Sequence, residues 1–331
     1  MKLSMWAQAV YKVPRLDKAE WDRLDPVARW LIATRAAVLV LTLTSSAIGG
    51  LVALKDGRFD LWLWLAVTLG LCLAHATNNL LNDLTDHLKG ADRDNAFRTQ
   101  YGPQPIEQGL LSMRAFLVYV VVTGVAALAV GVVLVVVRGE ITLVLLAAGA
   151  FFVLFYTYPL KYIGLGELAV LAVWGPLMVG GAYQVVTGEW SWTAAAIGIP
   201  HALGATAVIF GKHIDKLDAD RGKEIRTLPV IIGSRASRLV VIAVIVLQYL
   251  SVVALVALGW LGLPALLVLG ALPAFRWVQR IYRAERPAEM PPEFRADVWP
   301  LWYVAFAFWH TRRFGLLFMA GLVADVVIAR L

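Results

Sequence analysis

Cysteine is almost missing from this chain. Cys72 is the single one among 331 residues, so no intrachain disulfide can form. Charge is scarce as well. Asp, Glu, Lys and Arg make up 16% of residues against 60% hydrophobic, and the mean hydropathy is +0.71, which excludes an ordinary soluble domain. Histidine is sparse, and His213, beside Asp215, has no second His or Cys with which to hold a transition metal. The first residues, MKLSMWAQAVYKVPRLDKAEWDRLDP, lack the continuous apolar core of a cleavable signal peptide, so the first spanning helix is expected to direct insertion. No low-complexity tract or second soluble domain interrupts residues 1–331, which read as one domain.

What the chain has is apolar runs of membrane length. A span needs roughly 20 apolar residues, and on that criterion helices are expected near 29–54, 60–82, 113–137, 140–158, 166–187, 192–211, 236–259, 262–282 and 313–330. The expected fold is therefore all-α, a polytopic bundle of about nine transmembrane helices around a central cavity. In residues 1–28, Met5, Trp6, Ala9, Val10 and Val13 recur at helical spacing, which suits either an interfacial helix or a cytosolic tail. With the N-terminus inside, 23 of the 30 Lys and Arg fall on cytoplasmic segments and four on outer ones. That asymmetry sets the topology as multi-pass in the cell membrane. The net charge of +7 is thereby explained without nucleic acid, because the basic residues lie in loops between apolar segments.

Two acidic stretches stand at ends of these runs. The first, NNLLNDLTDHLKGADRDN at 78–95, places Asn79, Asn82, Asp83 and Asp86 on one helical face, with Asp92 and Asp94 beyond. Such clustering repels itself unless a cation sits there, and oxygen-only ligands favour a hard ion, Mg²⁺ above all. The second, GKHIDKLDADRGKEIRTLPVIIG at 211–233, carries Asp215, Asp218 and Asp220 among Lys212, Lys216, Arg221, Lys223 and Arg226. Acids to hold metal beside bases to hold phosphate oxygens are what departure of a diphosphate requires. Both stretches face the cytoplasm in the expected topology. Lys161 comes to the same side in YTYPLKYIGLGE, and Arg35 lies inside the first expected span, where a charge must face a polar cavity or pair with an acid. TQYGPQPIEQGLLS, 99–112, is a candidate lid.

These motifs resemble the UbiA superfamily of intramembrane prenyltransferases. Asn82, Asp83 and Asp86 match the first three fixed positions of its NDxxDxxxD motif, Gly90 takes the fourth, and the acid follows as Asp92. That variant is similar to the 1,4-dihydroxy-2-naphthoate prenyltransferase branch. YIGLGE, GPLMVGGAYQVVTG and RTLPVIIG extend the resemblance over most of 75–235. The second motif departs from the family's DxxxD, since Asp215 is followed at plus four by Ala219, which leaves open whether Asp215, Asp218 or Asp220 ligates. The resemblance implies a single transmembrane prenyltransferase domain that uses Mg²⁺ and takes a polyprenyl diphosphate donor and an aromatic acceptor in the bilayer. Asp83, Asp86 and Asp215 would be catalytic, and metal would be held by Asp83, Asp86 and Asp92 and by Asp215 with Asp218 or Asp220. Asn82, Lys161, Lys212, Lys223, Arg226 and Arg35 would bind diphosphate. A similar site acting on another acceptor, or cyclising the chain, is an alternative. A cation-coupled transporter is a distant one, because it expects acids near the midplane rather than at helix ends.

Overall fold

The computed structural model describes residues 2–11, 14, 16–91, 97, 102–296 and 298–331, and every regular element among them is helical. Six helices are long and apolar enough to cross a membrane: Ala36–Lys55, Leu61–Leu88, Met113–Arg138, Gly166–Thr187, Trp192–Asp215 and Ser234–Ala257. The all-α membrane bundle is as expected. The count of nine does not follow by the same criterion, for local reasons. Glu140–Phe155 is apolar but 16 residues long, roughly 24 Å at 1.5 Å per residue. Across 262–282, Pro264 and Pro273 divide the chain into a 3-10 segment, Leu263–Ala271, and a short helix, Leu272–Arg283. The last helix begins at Tyr303 rather than near 313 and carries Arg312 and Arg313 within it.

The first expected span is also broken. Helix Pro26–Ala33 ends at Thr34, and the chain turns at Arg35, whose φ of 54° and ψ of 53° place it in the left-handed region. An L-residue there costs about 1–2 kcal/mol. Asn79 Nδ2 donates to the Thr34 carbonyl at 2.8 Å, so the turn is bound to the first-motif helix. That helix, Leu61–Leu88, has 28 residues and is about 42 Å long, longer than the roughly 30 Å hydrocarbon core. The acids of the first motif lie in its last two turns.

Burial separates centre from rim. In Trp192–Asp215, 78% of the most apolar window is buried, against 11% in Met113–Arg138, so the former lies in the middle of the bundle and the latter offers its side chains to lipid. The central helix packs on Ser234–Ala257 and Tyr303–Arg330. It comes close to the wide turn Val173–Leu177, at Pro176, because Gly175 faces Gly198 and Ala202; a Cβ at Gly175 would stand 2.8 Å from the Ala202 Cβ. The N-terminal segment is packed rather than trailing. Ala9, Trp21, Ile32, Leu80, Leu110 and Phe116 form one buried cluster, Met5 packs against it, and Trp6 Nε1 donates to both Asp25 carboxylate oxygens at 3.1 Å. Val10, expected on the same stripe, is exposed, and Val13 lies outside the described residues.

Candidate active site

The first-motif acids are buried, and each holds a cation from another element. Asp83 pairs with Arg35, whose guanidinium also reaches Asn82 Oδ1 at 3.4 Å. Lys161 Nζ donates to both oxygens of Asp86, at 2.7 and 2.8 Å. Asn82 Nδ2 donates to Asp86 Oδ2 and to Thr157 Oγ1, each at 3.2 Å, which closes the network. Helical spacing accounts for Asn79, Asn82, Asp83 and Asp86 sharing a face, whereas Arg35 and Lys161 arrive only through the left-handed turn and the 3-10 segment Leu160–Ile163. Buried pairs of this kind are held by geometry, since desolvation offsets most of the Coulomb gain. Asp92 lies outside the described residues.

The second motif does not present three acids to this centre. Both oxygens of Asp215 accept backbone N–H groups, from Tyr303 and Val304 at 3.0 Å each, so Asp215 caps the last helix. Asp218 is exposed, 3.8 Å from Arg221. Asp220 is buried against Lys216 at 3.2 Å. The bases divide as well. Lys216 is buried on Asp220, and Lys212, half-buried, stands on the last turn of the central helix. Lys223 donates to the Ala91 carbonyl at 2.9 Å and so joins the second motif to the end of the first, while Arg226 is exposed. Among the described residues no group of three or more His, Cys, Asp or Glu converges as a metal cluster. The centre is thus the two first-motif carboxylates, each already paired with a cation, while the second-motif Asp220 has its own partner in Lys216.

Beneath the charged centre opens an apolar cavity of about 510 Å³, between Leu61–Leu88, Met113–Arg138, Glu140–Phe155 and Gly166–Thr187. Asn78, Tyr156 and Trp174 line its upper part, and Leu71, Leu128 and Leu145 are among its walls. Tyr156 lines the cavity, its carbonyl accepts the Lys161 N–H at 2.9 Å, and its neighbour Thr157 accepts from Asn82, so cavity and charged centre meet there. Two interior histidines have structural partners: His75 Nδ1 meets Thr42 Oγ1 at 2.8 Å, and His201 Nε2 meets the Leu41 carbonyl at 2.9 Å. His213 pairs with Glu167 at 2.6 Å, and both are almost wholly buried. Sequence reasoning named Lys216 among the bases of the second stretch and placed Tyr156 in the segment of Lys161, but assigned neither to the site, and it missed Glu167. For Lys216 the signal was there, because it stands four residues before Asp220 and so shares its helical face. Nothing in the order of residues tells that Glu167 faces His213.

Comparison with known proteins places this geometry. A model of the UbiA prenyltransferase family matches residues 42–299. The UbiA prenyltransferase domain-containing protein 1 homolog of Drosophila melanogaster is 28% identical over 217 residues, 64% of this chain and 60% of that protein. The alignment therefore spans less than two thirds of that relative's length. The Danio rerio UbiA prenyltransferase domain-containing protein 1 is 25% identical over 232 residues, 69% of this chain and 68% of its own. Among solved structures, a UbiA homolog from Aeropyrum pernix K1 superposes with a TM-score of 0.64 at 16% identity, over 89% of this chain and 98% of that one. A UbiA homolog from Archaeoglobus fulgidus bound to GPP and Mg²⁺ does so with 0.58 at 15% identity, over 90% and 99%. At such identities these two likenesses speak for the fold.

Proposed function

The chain belongs to the UbiA prenyltransferase family, and from that premise we propose that it transfers a polyprenyl group from a polyprenyl diphosphate to an aromatic acceptor within the membrane. One observation carries the reading: a buried cluster of paired charges adjoins an apolar cavity at Tyr156, which lines the cavity and whose carbonyl accepts the Lys161 N–H. A prenyl diphosphate has the same two halves. Pockets that hold a small ligand are of this size and mostly apolar, with a few convergent polar groups. The likeness to a UbiA homolog bound to GPP and Mg²⁺ points the same way.

In this reading the diphosphate takes Arg35 and Lys161 as its cationic partners, drawing them from Asp83 and Asp86. The freed carboxylates, with the Asn82 amide oxygen, form a hard oxygen donor set on one helical face, and that set fits Mg²⁺. When bound, the ion supplies charge neutralisation on the departing diphosphate. The rest belongs to the chain's own side chains. Lys161 and Arg35 donate N–H bonds to the leaving oxygens, and an ammonium or guanidinium in a water-poor site stabilises developing charge strongly. The cavity walls hold the prenyl chain and keep water from the allylic carbon while the electron-rich ring attacks it, the carbon–oxygen bond to diphosphate breaking and the attacked ring carbon then releasing its proton to restore aromaticity. The whole chain acts as one transmembrane prenyltransferase domain in the cell membrane, with the site open to the cytoplasm.

For the acceptor we propose 1,4-dihydroxy-2-naphthoate, a menaquinone precursor. The support is the spacing of Asn82, Asp83, Asp86, Gly90 and Asp92. The test is mass spectrometry of products formed by the purified full chain in detergent with Mg²⁺, a panel of prenyl diphosphates, and naphthoate, hydroxybenzoate, homogentisate and glycerol phosphate acceptors. Prenylated naphthoate that disappears with EDTA and with Asp83→Ala is the expected result. Another prenylated acceptor would replace the naphthoate and keep the site. No consumption of diphosphate with any acceptor would overturn the enzyme reading.

A further inference from the structure

We propose that the second motif engages the donor diphosphate through the Lys216 ammonium in place of a second divalent cation, so that the site takes one metal ion per chain. The inference rests on the reading of the site as a prenyl diphosphate site, and it goes beyond that reading in assigning Lys216 and the metal count. The resemblance of the motifs implies metal at both. The second motif does not offer what a divalent ion needs.

A second ion bridging to phosphate asks for one or two carboxylates turned toward the diphosphate. Asp215 is turned the other way, with each of its oxygens on an amide of the last helix. Those two amides are the unsatisfied donors of a helix start, so releasing Asp215 to a metal would strand them in a buried place. Asp218 points to solvent, its side chain 94% exposed. Only Asp220 faces inward, and Lys216 lies on it at 3.2 Å, both side chains buried. The turn that carries them is tied to the first motif: Lys223 Nζ donates to the Ala91 carbonyl at 2.9 Å, and the Ala91 N–H donates to the Asp86 carbonyl at 2.8 Å. A buried cation therefore already occupies the one inward carboxylate of the second motif, on a turn held against the end of the first.

The substitution is chemically sensible. An ammonium is a compact point charge with three donors, able to hold Asp220 and phosphate oxygens together without a coordination shell. Its stem is anchored one residue after the central helix ends at Asp215. Lys216 and Asp220 lie four apart, with backbone N–H of Asp220 donating to the Lys216 carbonyl at 2.8 Å, so both project from one helical turn. Lys223, fixed on the Ala91 carbonyl, keeps that turn against the end of the first motif. Lys216 thus has a rigid seat, as a positioned charge requires.

The experiment counts ions. The full chain in detergent is titrated with Mn²⁺, with and without the unreactive analogue geranyl S-thiolodiphosphate, and free Mn²⁺ is read by electron paramagnetic resonance. The expected result is one analogue-dependent ion for the native chain and two for Lys216→Asp, which gives the second motif paired carboxylates four apart. Lys216→Met should keep one ion and bind the analogue about tenfold more weakly, as loss of a charge-assisted contact predicts, and Lys216→Arg should recover part of that affinity. Should Lys216→Asp not fold, the native count and the Met and Arg arms still decide. Two ions in the native chain overturn the proposal. So does a folded Lys216→Asp that stays at one, or unchanged analogue affinity in Lys216→Met. A native chain with no analogue-dependent Mn²⁺ at all would overturn the diphosphate site itself, and the two failures are thereby distinguishable.

Discussion

Lys161 is the most informative position to perturb, because it should carry two separable effects. Its Nζ lies 2.7 and 2.8 Å from the two oxygens of Asp86, with both residues buried, at 6% and 4% exposure. Lys161→Met removes one partner of a buried pair and leaves a carboxylate without its main cation. Such changes cost about 3–5 kcal/mol, most of it the penalty of the stranded charge rather than the worth of the pair. Asn82 still donates to Asp86 at 3.2 Å, so the low end of that range is expected. In detergent this reads as a fall in apparent melting temperature on the order of 5–10 °C. The double variant Lys161→Met with Asp86→Leu removes both charges at once, and by the same reasoning should return to within about 1 kcal/mol of the native chain. Turnover should behave differently. Loss of a donor aimed at developing charge costs about 10²–10³-fold, and the double variant cannot recover it, since the donor is still missing and a carboxylate of the proposed Mg²⁺ set is gone as well. The assays are thermal unfolding and prenyl transfer on the same preparations. Recovery of turnover in the double variant, or a single variant as stable and as active as the native chain, would refute the reasoning.

Asp215→Asn retains an oxygen for one amide of the last helix, and should cost about 0.5–2 kcal/mol of stability with turnover within a few-fold of native. A loss like that of Asp83→Ala, measured beside it, would return Asp215 to the metal site. Gly149 lines the apolar cavity, and a Cβ there meets nothing within 4 Å, so Gly149→Phe should fold and shift product toward shorter prenyl chains. Mass spectrometry with mixed donors reads the shift, and an unchanged chain length would remove the cavity from the donor's path. Arg35→Gly and Arg35→Ala both lose the Asp83 pair, but Gly accepts the φ of 54° without strain and should be more stable by about 1 kcal/mol. Equal melting temperatures would show that the turn relaxes in the variants.

Much of the outline was legible in the residues because it depends on local periodicity. Apolar length marks spans, and acids three and four apart share a face wherever a helix forms, so the first motif and its hard oxygen set follow from residues 78–86 alone. Lys and Arg counts in loops order the topology without any knowledge of packing. The helix count was less legible. Pro264 and Pro273 break an apolar run into pieces that hydropathy averages into one span, and Arg35 interrupts another by a backbone turn that no composition window detects.

By itself, then, the sequence determined the class of molecule, the sharing of one helical face by the acids of the first motif, and the interleaving of acids with bases in the second. Only the tertiary structure decided which acid faces which partner. Asp215 and Asp220 are equally acidic and stand five residues apart, yet one caps a helix that begins 88 residues later and the other meets Lys216 in the centre. The physical reason is that a carboxylate's role is set by which donors come within about 3 Å of it. Those donors, on Tyr303, Val304, Arg35 and Lys161, are brought there by helix packing across the whole bundle and not by neighbours in the chain.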